Sequence, residues 1–358
     1  MGEDIMQLGV RIKMARTAAG LSLRALAGMV GVSAMAISKY ENGKDIPGSG
    51  VLIRLSEALG VNVDYFFRTI DVNLSKPYYR KRAALPKKQE KSIHEQTREW
   101  LERYLELEEI VGERQVFVTM PEGKRKIASL KGAEAVAQHI RDAWKLGTDP
   151  IENIIDIFEQ HGIKVGIIDG AEKFDALTFT FDDGTPVMVV KKNIPGDRQR
   201  FNLAHELGHI VMIPDSGVDA EKAAHRFAGA FLAPAPQIIG DLSKKRNVLD
   251  IYELHLLKHK YGISMQALIY RAKDLGIISI SRMSSLFAWF KKEGWYAKEP
   301  GDPLESETPT RMKRLIFRAV SENRISRSRA AELLGTDFLQ FCLNETKEHD
   351  GFPIPICS

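Results

Sequence analysis

Over residues 5–67, apolar positions recur at the three-to-four-residue spacing of short helices. Leu8, Ile12 and Ala15 share a face of the first, which Gly20 stops. Ser22 caps a second helix carrying Leu23, Leu26, Ala27 and Val30. After the tight turn Gly31-Val32-Ser33, Ser33 caps a third that runs through Tyr40 and ends at Asn42-Gly43. Beyond Pro47 a fourth runs through Leu52, Leu55, Ala58 and Leu59 to Gly60, so five short helices fit the stretch.

The pattern changes at residue 68. Lys76, Arg80, Lys81, Arg82, Lys87, Lys88 and Lys91 crowd around Pro77 and Pro86, the composition of an extended linker that can touch phosphates or be cut. An amphipathic helix over about 92–111 follows, with Ile93, Trp100, Leu101, Tyr104, Leu105 and Leu107 on its apolar side; it packs against its own chain or forms a dimer seam. From residue 132 the pattern is mixed. Helices are expected at 133–146 and 151–161, an apolar strand at 163–168, and a hairpin from 177–181 and 186–191 around Asp182-Asp183-Gly184-Thr185. Helices then fill 197–213, 219–233, 248–259 and 264–275, and further helices fill 280–340, broken at residues 299–303. Residues 324–335 look like the front of a helix-turn-helix, but only one helix and its approach are visible, which favours a packing or dimerisation element.

With 358 residues, 44% hydrophobic and 27% charged, the chain has the makings of two or three globular domains. Its two cysteines, Cys342 and Cys357, match no zinc spacing and no disulfide framework, and no apolar run suits a membrane span, so a cytoplasmic protein is expected. The net charge of +4 is unevenly placed: residues 1–100 carry 16 Lys and Arg against 10 Asp and Glu, the remainder 35 against 37. The basic excess at the front suits a polyanionic partner.

Residues 22–41 have the layout of a helix-turn-helix, in which a short helix enters the major groove braced by another. Leu26, Ala27, Val32 and Ile37 form its small core, leaving Ser33, Ala34, Met35, Ser38 and Lys39 outward. With ISKYENGKDIP and LIRLSEALGVNVDYFF after it, the stretch resembles the lambda-repressor-like (XRE) family. That resemblance implies contacts to double-stranded operator DNA from Arg24, Ser33, Ala34, Met35, Ser38, Lys39 and Lys44, and binding as a homodimer. Two departures stand out. Leu23 occupies the place where the family commonly has Gln, and Ala34, Met35 and Ala36 replace residues that would hydrogen-bond bases, leaving apolar contact to thymine methyls.

The string RFNLAHELGHIVM places His205 and His209 one helical turn apart, where both imidazoles can reach one zinc ion. Glu206 stays beside the metal and can act as general base. A third ligand is needed: Glu221 is the best placed, Asp215 and Asp219 follow, and His225, one turn after Glu221, can bind or support a ligand. For an oxyanion, His225, Arg226, Tyr252, Tyr261 and Tyr270 are all eligible. His255 and His259, also four apart, lack a following glutamate and read as a solvated face.

Together with the spacing after Glu221, these residues resemble the ImmA/IrrE metallopeptidase family, from about Gly132 to residue 279. The resemblance implies a gluzincin-like site holding Zn2+ or Mn2+, with Glu221 as third ligand, and a limited cut in a protein such as a repressor or antitoxin. The expected architecture is multidomain and mainly α: a five-helix lambda-repressor-like DNA-binding domain (1–67), a basic linker and amphipathic helix (68–131), an α+β zincin-like metallopeptidase domain with a small sheet (132–279), and a helical C-terminal region (280–358). The alternative is a DNA-binding regulator whose zinc domain is a non-proteolytic sensor or dimerisation platform.

Overall fold

A computed structural model describes residues 2–68, 72–75, 86–117, 125–169 and 174–342. Most of the basic linker, including Lys76 to Arg82, and Cys357 lie outside the described residues. The described chain is mostly helical and divides into two units by internal contact. One gathers residues up to Ser75, the stretch ending at Gln115, and everything from Thr310; the other holds residues 116–309.

The first unit opens with α1 (Gly2–Ala18), α2 (Leu23–Val30), α3 (Ala34–Glu41), α4 (Ser49–Leu59) and a 3-10 turn, Val63–Phe67. Ser22 and Ser33 cap α2 and α3, their hydroxyls accepting from Ala25 N and Ala36 N at 3.1 Å each. Leu8, Ile12, Leu26, Val30, Ile37, Leu55 and Phe66 form the core. An ion pair between Arg16 and the buried Glu41, 2.5 Å, ties α1 to the end of α3.

Helix α5 (Lys87–Val111) lies on α1, where Glu102 pairs with the fully buried Arg11 at 2.6 Å. The second unit takes up the chain next.

Strand β1 (Arg125–Ile127) pairs in parallel with β5 (Met212–Pro214), two short strands that the hydrophobic pattern did not announce. Between them come α6 (Leu130–Ala143), α7 (Ile154–Gln160), β2 (Lys164–Ile168), β3 (Ala176–Thr180), β4 (Pro186–Lys191) and α8 (Gly196–Val211). The expected hairpin forms, β3 antiparallel to β4, and β2 joins the far side of β4 in parallel, giving the order β2-β4-β3. β2 and β4 are buried almost throughout, which is why they read as unbroken apolar runs. After α9 (Ala220–Leu232) the chain continues through α10 (Ala235–Leu242), α11 (Ile251–Tyr261), α12 (Met265–Asp274) and α13 (Ile280–Lys292). Phe158, Val165, Met188, Leu203, Phe227, Phe231 and Ile269 belong to the common core.

An extended strap, residues 299–309, then crosses the start of α8. Leu304 O accepts from Gly196 N at 2.8 Å, and a Cβ at Gly196 would lie 1.9 Å from Glu305 O, so only glycine admits the crossing. Glu307 pairs with Arg200 and accepts from Ile155 N, while Glu299 pairs with Lys258 and accepts from the first amides of α12.

The chain re-enters the first unit as α14 (Arg311–Ser321) and α15 (Arg327–Leu334). Their Met312, Leu315, Ile316, Ala330 and Leu333 cover Tyr104, Leu107 and Val111 of α5, so its apolar side packs within its own chain. Arg311 donates to Tyr104 Oη at 2.9 Å and pairs with the buried Glu108. Compactness thus groups the chain differently from the four-part division expected from the sequence: residues 87–111 and 311–342 join the N-terminal helices, and 280–309 join the unit before them.

Candidate functional site

Helix α8 is buried along most of its length, and its HELGH stretch meets α9 because Gly208 lacks a side chain. A Cβ there would stand 3.1 Å from the Phe227 ring and 3.3 Å from Ala224 Cα. Asp219 caps α9, accepting from Glu221 N and Lys222 N, and is thereby committed. Glu221, in the first turn, faces the two histidines. His205 Nε2 lies 3.1 Å from His209 Nε2 and 3.4 Å from Glu221 Oε2, and His209 Nε2 lies 3.3 Å from Glu221 Oε1.

Donors about 2.0–2.2 Å from one tetrahedral ion stand roughly 3.3–3.5 Å apart, so these spacings and the two-imidazole, one-carboxylate set fit a zinc-type ion. Among the described residues this is the group of three His, Cys, Asp or Glu side chains able to share an ion. Burial pushes His205 down to about 4, against a hydrogen bond with Glu221 that raises it. That same hydrogen bond holds Glu221 below its ordinary value. A neutral imidazole beside an ionised carboxylate is the protonation state a cation requires. Among the described residues no side chain or backbone group hydrogen-bonds the buried His205 Nδ1, the atom through which a histidine ligand is commonly supported from behind.

Glu206 is held by a residue that sequence reasoning missed. Thr178, buried on β3, donates its hydroxyl to Glu206 Oε2 at 2.7 Å. Its signal was only a threonine within LTFTF; the sheet register supplies the rest. His225 is exposed beside the cluster, its ring 4.5 Å from that of His205, and its Nδ1 lies 2.7 Å from Glu221 O. The other oxyanion candidates have different engagements. Arg226 pairs with Glu134 and Asp274, Tyr261 is buried and donates to Asp241, Tyr252 is exposed beside His255, and Tyr270 packs on Phe287.

In the first unit, Arg24, Ser33, Met35, Lys39 and Lys44 are exposed, and Ala34 and Ser38 are partly buried. Arg54, unremarked in the sequence, donates to Val30 O at 2.8 Å and closes the end of α2.

Residues 12–66 match the model of the helix-turn-helix family (HTH_3), and residues 158–273 match that of the IrrE N-terminal-like domain (Peptidase_M78). An uncharacterized transcriptional regulator in the ATPase CF(0) region of Rhodospirillum rubrum is 38% identical over 64 residues, 18% of this chain and 59% of that protein. The SPbeta prophage-derived uncharacterized HTH-type transcriptional regulator YonR of Bacillus subtilis (strain 168) is 37% identical over 60 residues, 17% of this chain and 56% of its own length. The chain thus spans somewhat over half the length of these relatives. A crystal structure of ComR from Streptococcus suis aligns over 96% of both chains at 11% identity and a TM-score of 0.17, too low for any argument about fold.

Proposed function

We propose that this chain, which joins an N-terminal helix-turn-helix domain to an IrrE-like domain, is a DNA-binding transcription regulator whose second domain is a divalent-metal endopeptidase. The observation that carries the proteolytic half is the convergence of His205, His209 and Glu221 at tetrahedral spacing, with Glu206 next to His205 and held by Thr178. The resident ion is Zn2+ or Mn2+, and the substrate is a protein such as a repressor or antitoxin, cut once. The chain acts in the cytoplasm as a homodimer on an inverted-repeat operator, with residues 1–67 reading DNA and 132–279 carrying the metal site.

A bound ion supplies Lewis acidity toward a water and the scissile carbonyl. Glu206 takes the proton of the attacking water as the C–O bond forms, then delivers it to the amide nitrogen as the C–N bond breaks. Thr178 fixes the carboxylate that does this. His225, whose ring borders the cluster, is the best-placed oxyanion candidate.

Co-expression with the products of neighbouring genes tests the reading. A fragment formed by wild type and absent with Glu206→Gln supports it. If every neighbouring regulator survives both, the proteolytic half fails and a sensor or dimerisation platform takes its place.

A further inference from the structure

Helix α3 has the sequence AMAISKYE, and its exposed surface is short of groups that can hydrogen-bond a base edge. Ala34 and Ala36 are partly buried, and Ile37 is in the core. The Ser33 hydroxyl accepts from Ala36 N, and the Asn42 amide, at the end of the helix, donates to Ser38 O at 2.6 Å. What remains near the start of the helix is Met35, 69% exposed, a flexible apolar side chain standing out from a surface otherwise bearing Lys39 and, beyond it, Lys44.

An apolar side chain that large, flanked by cations on the helix that a helix-turn-helix presents to the major groove, fits one base feature. Thymine alone among the four bases offers a methyl group there. We infer that Met35 reads thymine methyls, so that each half-site is specified through apolar contact at a thymine while Lys39 and Lys44 hold phosphates. This rests on the DNA-binding half of the proposed function. Burying one methyl is worth about fourfold in affinity, and two half-sites acting independently about fifteenfold.

The test uses the full chain and a duplex selected by it from a randomised pool. Each thymine of the selected half-sites is replaced in turn by deoxyuridine, which keeps every hydrogen-bonding group and removes only the methyl. Wild type should bind one substituted position about fourfold more weakly per half-site, and Met35→Ala should bind the thymine and uracil duplexes equally. Met35→Leu, which keeps an apolar side chain, should retain the difference. Equal binding of both duplexes by wild type overturns the inference, as does a thymine preference that survives in Met35→Ala. Failure to select any sequence would instead bring down the DNA-reading proposal beneath it.

Discussion

Helices α3 and α8 each carry a candidate site, and they do so in opposite ways. Along α8 most side chains are buried, and His205, His209 and Glu206 face α9 and β3. Along α3 only Ile37 and Glu41 are buried, and of the candidate DNA-facing residues on it Met35 and Lys39 are exposed while Ala34 and Ser38 are partly covered. A site that is to hold one ion must satisfy that ion's geometry, which constrains residue types and spacing together. The outward site must only be rigidly presented, so its residue types are open to change and its partner is written less clearly.

The comparison breaks most sharply at Glu206. Replacing it by Gln should lower peptide cleavage by about 10²–10⁴-fold, the usual worth of a general base, with metal content unchanged. Metal analysis beside a cleavage assay checks both, and a drop in bound metal would mean that Glu206 is a ligand. Next, wild type should bind one ion per chain and His205→Ala or Glu221→Ala should lose it; full occupancy in the Glu221 variant would place the third donor elsewhere.

Glu102→Ala leaves the fully buried Arg11 without this carboxylate and should destabilise the first unit by about 3 kcal/mol, leaving the metal content of the second unchanged. Denaturant unfolding followed with a metal-binding assay separates the two effects. A loss of metal in this variant would show that the inward and outward sites are coupled.

Acid offers a gentler probe of the inward site. His205 protonates in the unfolded chain near 6.5 and in the metal-free fold only near about 4, so between these values the unfolded state holds more protons. Stability of the metal-free protein should therefore fall as pH drops from 6.5 toward 4, by roughly 2–3 kcal/mol, and Glu221, held low by its hydrogen bond with His205, adds a further loss only once pH falls below about 4.5. In thermal melts across that window wild type should lose stability more steeply than His205→Gln; parallel curves would contradict the assignment. The smallest effect is expected at Lys39→Ala. It should weaken operator binding less than about tenfold and make the slope of log affinity against log salt shallower by about one for each phosphate left without its cation.

What the sequence made legible follows the same division. The HELGH spacing is local, because helical periodicity alone puts His205 and His209 on one face, and Glu221 follows from the buried stripe of Ala224, Phe227 and Phe231. The helices and the hairpin were readable for the same reason. Thr178 was not, because its contact with Glu206 depends on how β3 pairs with β4 and packs on α8. Arg226 was a reasonable oxyanion candidate by proximity in sequence, but a partly buried guanidinium seeks carboxylates, and Glu134 and Asp274 are far away along the chain. Likewise the apolar side of α5 was plain, whereas its cover, α14 and α15, lies some two hundred residues later.

The strap over α8 bears on where this protein can be divided for work on its parts. The match to the IrrE-like domain ends at residue 273, an inviting place to stop a fragment. Such a fragment would lack Glu299 and Glu307, leaving buried Lys258 and Arg200 each short of a carboxylate and the first amides of α12 and of α7 without their acceptor. It would also lose Leu286 and Phe290 from the core. A fragment bearing the HELGH helix should therefore be carried through Pro309, and shorter ones are expected to aggregate or unfold in part regardless of metal.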